Sequence, residues 1–137
     1  MLKIIVPGQP MAWQRARQNY RSGAFFDSAD QTSFKSQVRL FARDAMNSSK
    51  SARFPIQGRI WLDVAFYFKR PKNQCRRGDP RGAIEMSRRP DLDNCLKMIG
   101  DALNGLVWED DGQISNLKAY KYYHEIGAGP RTEISIY

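Results

Sequence analysis

Histidine and cysteine, two of the side chains most used to hold transition metals, are nearly missing here: His124 stands alone, and Cys75 and Cys95 are the only thiols. The two cysteines lie far apart with no His or Cys neighbour, so they form no zinc pattern, and reduced thiols are expected. A single histidine excludes a histidine metal cage and leaves a His–Cys dyad without support. Any metal must therefore rest on oxygen ligands, which favours Mg²⁺ or Mn²⁺. There is no run of about 18 apolar residues, so no membrane span is expected. The opening stretch Met1-Leu2-Lys3-Ile4-Ile5-Val6-Pro7 lacks the long apolar region and small-residue cleavage site of a signal peptide. A cytoplasmic location follows as an expectation. Acidic residues are also scarce, 14 against 22 Lys and Arg, which leaves a net charge of +8. A balance of that sign suits a polyanionic partner.

What is present fits one domain over residues 1–137, with 42% hydrophobic residues and enough chain for a real core. Leu2 to Val6 reads as a strand closed by Pro7-Gly8. Gln9 to Phe26 has no helical period; its interleaved Trp13, Arg15, Arg17, Tyr20, Arg21 and Phe25 suit a loop that touches a polyanion. From Ser28 the pattern turns helical. Ser28 or Asp30 can cap it, and Phe34, Val38, Phe41, Ala42 and Ala45 recur at three- and four-residue intervals. Asn47 to Ser51 ends that helix. Arg59 to Lys69 alternates, with Ile60, Leu62, Val64, Phe66 and Phe68 on one face. Leu92, Cys95, Leu96, Ile99 and Leu103 predict a second amphipathic helix from about Asp93 to Leu103, stopped by Asn104-Gly105. Ile114 to Glu125 and Thr132 to Tyr137 read as strands. The expected fold is α+β: a small mixed sheet of three to four strands with two helices packed on one face.

Charge is concentrated between residues 69 and 90. Lys69, Arg70, Lys72, Arg76, Arg77, Arg81, Arg88 and Arg89 stand there against Asp79 and Glu85, which is six of the eight net positive charges. With Pro71, Gly78, Pro80, Gly82 and Pro90 the stretch predicts an irregular, mobile loop able to hold phosphate. Lys69, Arg70, Lys72, Arg76, Arg77, Arg88 and Arg89, with Arg15 and Arg17 upstream, are the expected DNA contacts.

That loop runs into Arg88-Arg89-Pro90-Asp91-Leu92-Asp93-Asn94. An aspartate ahead of an apolar-periodic run is a common N-cap, worth roughly 1 kcal/mol, but this accounts for only one of Asp91 and Asp93. Pro90 holds Arg89 extended, and extension through Leu92 puts both carboxylates on one side. At a separation of about 4 Å they repel by roughly 4 kcal/mol at an effective dielectric near 20. A bound cation removes that penalty. Glu109, Asp110 and Asp111 read either as a solvated turn or as the source of a third ligand. Lys97, four residues after Asp93, is either an i, i+4 partner or a cation aimed at charge developing on a phosphoryl group. Together these residues point to metal-assisted cleavage of a phosphodiester.

Arg88-Arg89-Pro90-Asp91-Leu92-Asp93-Asn94, Lys97, Asp101-Ala102-Leu103 and Trp108-Glu109-Asp110-Asp111, in that order, closely resemble the RusA family of Holliday-junction resolvases. The likeness is strongest over residues 88–123. It implies that Asp91, Asp93 and Asp111 are metal-binding catalytic acids and that Lys97 is the catalytic lysine. It also implies a small α+β homodimer, dependent on Mg²⁺ or Mn²⁺, that nicks four-way junctions symmetrically in DNA recombination and repair. Two alternatives stand beside it: a nuclease for other branched DNA, which uses the same acids, and a basic DNA-binding protein without catalysis, built on the basic loop and the aromatics of residues 13–26. The binder has no use for Asp91, Asp93 and Asp111 facing a phosphate, so their replacement by Asn tells it from either nuclease.

Overall fold

Strict alternation builds the centre of the sheet. In β4 (Ile60–Phe68) the residues Ile60, Leu62, Val64, Phe66 and Phe68 are all buried, while Trp61, Asp63, Ala65 and Tyr67 face the other way. In the computed structural model, which describes residues 1–137 apart from the side chain of Arg17, β4 is flanked on both sides. β7 (Arg131–Ile136) pairs with it antiparallel, setting Ile136 and Ile134 opposite Leu62 and Val64. β1 (Leu2–Pro7) continues beyond β7, again antiparallel, with Leu2, Ile4 and Val6 on the buried face. On the other side β6 (Ile114–Tyr123) runs parallel to β4, and the two-residue β5 (Ile84–Glu85) closes that edge. The order is β1-β7-β4-β6-β5. The sheet is thus mixed, as expected, but it has five strands where three to four were predicted. The fifth is too short to leave an alternation signal.

Consecutive strands are not neighbours at the C-terminal end. β6 and β7 follow one another across Gly127-Ala128-Gly129-Pro130, yet β4 lies between them. Arg131 holds that connection from its far side, donating to both carboxylate oxygens of Glu125 at 2.9 and 3.0 Å.

Two helices cover the apolar face. α1 (Ala29–Ser48) is capped by Ser28, whose side chain accepts from Gln31 N, and it buries Phe34, Val38 and Ala42. α2 (Leu92–Leu103) buries Cys95, Met98, Ile99, Ala102 and Leu103. Each of the large apolar side chains among these contributes roughly 1.5–3 kcal/mol by leaving water. Asn104 caps the C-terminus, and Gly105 takes the left-handed conformation (φ +76°) in which the chain leaves the helix.

Two stretches read as loops carry structure. Within residues 9–26, β2 (Arg17–Gln18) and β3 (Phe25–Phe26) form a small antiparallel ribbon. Within residues 69–90 there is a single 3₁₀ turn at Lys72–Gln74, followed by β5. The basic segment is therefore folded rather than irregular throughout.

Candidate active site

The acidic motif sits where α2 begins. Asp91 is the N-cap residue, with extended backbone (φ −68°, ψ 140°), but its side chain makes no capping hydrogen bond. Asp93 is already inside the first turn and accepts from the amide of Asn94 at 2.9 Å. The chain is thus not extended through Leu92, which corrects the expectation that extension sets both carboxylates on one side: Leu92 already belongs to the helix, with Asp91 as its cap residue and Asp93 in its first turn. Both are exposed, and neither forms an ion pair among the described residues. A helix N-terminus favours negative charge by a few tenths of a kcal/mol to about 1 kcal/mol.

Lys121 fixes the entry to this turn. It lies on the face of β6 turned toward the helices, and its ammonium donates to the carbonyls of Arg88 (2.5 Å) and Pro90 (2.8 Å). The chain immediately before Asp91 is thereby tied to the sheet. Beneath the acids, burial pushes the Cys95 thiol up to about 11; the charge of Lys121 lowers it, while those of Asp93 and Asp91 raise it further. Cys95 is a packing residue and not a thiolate nucleophile at neutral pH.

Further along α2, Lys97 follows Asp93 by one turn on the exposed side. Its ammonium stands 3.5 Å from the centre of the Trp13 ring, a cation–π contact. Trp13 is itself held in place. Its amide donates to the carbonyl of Asn94 at 2.9 Å, and the next residue, Gln14, exchanges two hydrogen bonds with the buried side chain of Gln31 on α1. The segment before the ribbon is thus stitched to both helices.

Asp111 arrives from the loop after α2. The indole N–H of the fully buried Trp108 donates to its Oδ1 at 2.7 Å. The other oxygen lies over Gly100, 3.6 Å from where a Cβ would stand. Gly100 is seven residues past Asp93, roughly 10 Å along the helix axis at 1.5 Å per residue. The structure therefore does not bring Asp111 to Asp91 and Asp93 within one chain. Among the described residues no group of three or more His, Cys, Asp or Glu side chains gathers to hold a metal. What α2 presents is a stripe: Asp91 and Asp93 at its head, Lys97 one turn on, and Asp111 docked beyond Lys97. The neighbouring acids have other tasks. Asp110 caps the 3₁₀ turn Asp111–Gln113, and Glu109 accepts from Gln57 at 2.6 Å.

The basic residues divide into two kinds. Arg15, Lys69, Lys72, Arg76, Arg77, Arg88 and Arg89 are exposed; the side chain of Arg17 lies outside the described residues. Arg70 is different and corrects the expectation for it. Only 3% exposed, it donates to the carbonyls of Gln74 (2.9 Å), Gly82 (2.9 Å) and Pro80 (2.6 Å). Its charge organises the basic segment instead of facing a phosphate.

Sequence reasoning missed Lys121, Trp108 and Trp13 as supports of the site. For Lys121 a signal existed, because alternation puts it in register with Leu117 and Ala119 on the inward face, where a lysine needs a polar partner. For Trp108 the signal was its place three residues before Asp111.

Comparison with known proteins covers nearly the whole chain. Residues 7–137 match the family model described as Endodeoxyribonuclease RusA. A protein of Bacillus subtilis (strain 168) described as "Uncharacterized protein YqaN" is 33% identical over 142 aligned positions, spanning 98% of this chain and 94% of that relative.

Proposed function

The chain belongs to the RusA family of endodeoxyribonucleases, and on that footing we propose that it is a metal-dependent nuclease that resolves four-way DNA junctions by paired symmetric nicks. One observation carries this reading. Asp91 and Asp93 stand exposed at the head of α2 with no ion-pair partner among the described residues, and Asp91 makes no cap. Beside them lie Arg88 and Arg89, exposed and suited to phosphate.

The donor set fits a hard divalent cation, Mg²⁺ or Mn²⁺, which takes one or two carboxylates and fills its other positions with water and phosphate oxygens. Asp91 and Asp93 would hold it, and when bound it supplies Lewis-acid polarisation of the scissile phosphate and acidifies a water. Lys97 offers its ammonium to charge that builds on the phosphoryl oxygens. Asp111 is assigned the third acidic role that family membership suggests. Held by Trp108 and lying over Gly100, about two helical turns past Asp93, it faces the same substrate strand from beyond Lys97. The exposed cations of the 69–90 segment and Arg15 grip the backbone on either side. Two matched cuts in a roughly two-fold substrate suit a homodimer with one site in each copy. Among the described residues no helix is long and apolar enough to cross a membrane.

The test uses an immobile synthetic four-way junction, with linear duplex as control, incubated with Mg²⁺, with chelator, and with Asp93→Asn protein. The expected result is paired nicks on the junction alone, lost on chelation and in the variant, while the variant still binds. Cleavage of flaps or forks in preference to the junction would change the substrate. Binding without nicks in either metal would overturn the enzyme.

A further inference from the structure

We infer that the ribbon formed by β2 and β3 reads the branch point of the DNA substrate, by stacking its exposed bases on Tyr20 and Phe25. The inference rests on the DNA-acting function proposed above and names the element that tells branched from linear DNA.

Three large aromatic side chains crowd this ribbon without cover. Tyr20 is 99% exposed, Phe25 68% and Phe26 48%. Three exposed aromatics on one short hairpin suit a contact surface better than scattered surface residues do. The tip that carries Tyr20 is a built turn. The side-chain oxygen of Asn19 accepts from the amides of Arg21 (2.9 Å) and Ser22 (3.4 Å). Asn19 N donates to Ala24 O at 2.8 Å, and Gly23 N to Asn19 O at 2.7 Å. Gly23 supplies the positive φ (+73°) that this turn needs.

Charge selects the occupant. Residues 9–26 contain Arg15, Arg17 and Arg21 and no acid at all. A second copy of a chain with net charge +8 is a poor match for that surface. The other uncovered face, on the side of the sheet away from the helices, has a different character. There Lys3 meets Glu133, and Arg131 meets Glu125 and Glu133, so its charges are already balanced. The ribbon joins unbalanced positive charge to open aromatic faces, which is the chemistry that holds nucleic acid by its bases and backbone together.

Position supplies the rest. Trp13 is bonded to Asn94, the residue after Asp93, and only three residues, Gln14 to Ala16, separate Trp13 from Arg17. Four Cα-to-Cα steps reach at most roughly 14 Å, so the base of the ribbon is tethered within that distance of Trp13, which is bonded to the first turn of α2. In continuous duplex every base is covered by its neighbours on both faces. At a branch the stack is interrupted and base faces become available. Aromatic stacking therefore rewards a junction and offers little to linear DNA.

The experiment measures the affinity of full-length Tyr20→Ala/Phe25→Ala protein for a four-way junction and for linear duplex, in chelator so that no cleavage intervenes. Both side chains point into solvent, so the fold is expected to be unaffected, and circular dichroism checks this. The expected result is a loss of tenfold or more on the junction, with duplex affinity changed by less than about twofold. Arg15→Gln serves as the backbone control and weakens both substrates alike. Equal losses on both substrates in the double variant would overturn the inference, as would no loss on either. Conversion of a dimer to a monomer by the double variant, seen by light scattering, would also overturn it by assigning the ribbon to a contact between copies. Because binding is read without cleavage, a protein that never nicks defeats the proposed nuclease but leaves this affinity ratio to be judged separately.

Discussion

At the scale of single residues, the proposed site rests on side chains that are given no contact with substrate. Trp108 is the clearest. Its indole N–H is the only described partner of Asp111 that comes from the core, and the ring itself is fully buried. Trp108→Phe keeps most of the packing and deletes that bond. A hydrogen bond to a charged group is worth about 1.5–3 kcal/mol, so the nicking rate should fall by roughly tenfold to a hundredfold. Affinity for the junction should stay nearly constant, because the change acts on the placement of an acid and not on the phosphate grip. Single-turnover kinetics beside a binding assay measure both, and an unchanged rate would show that Asp111 does not depend on the indole. Much at this scale was legible in the sequence. The sequence singles out Asp91, Asp93 and Lys97 by their order, and the structure places them at the head of α2 and one turn along it; the roles given to them are part of the proposed function. The separation of Asp111 from Asp93 could not be read there, because it depends on where a loop after α2 folds back, and Gly100 gives no sign of what docks on it.

At the scale of elements, periodicity was a dependable guide wherever a segment was long. β4 and α2 could be read almost to the residue because each buries one unbroken face. It failed for the ribbon and for β5, whose strands are two residues each, too short to show any period. It failed again for Arg70, since a buried arginine and a solvated one look alike inside a charge run. The structure gives Arg70 three backbone carbonyls spread over the segment from Gln74 to Gly82. Arg70→Met keeps the apolar stem and removes all three bonds. The loss should destabilise the protein by about 2–3 kcal/mol and free the segment that carries Arg76 and Arg77. Trypsin should then cut there sooner than in the parent protein. Thermal unfolding and timed proteolysis are the measurements, and an unchanged cleavage pattern would show that the segment holds its shape without Arg70.

At the scale of the whole molecule, net charge governs association. If the exposed cations around α2 neutralise about six phosphates, junction affinity should fall on the order of a thousandfold between 50 and 200 mM salt. A titration across that range checks it, and a flat response would remove the basic segment from the interface. The order of the strands has a consequence of another kind. β4 and β6 lie side by side and parallel, with Ile60 opposite Ile114, so the chain between them must complete a long crossover before they can pair. That crossover is the basic segment followed by α2. Closing a contact so far apart in sequence costs loop entropy and slows folding. The acids thus lie on the connection itself. Asp91, Asp93 and Asp111 all belong to the chain that spans β4 and β6, so a change that loosens this crossover loosens all three together.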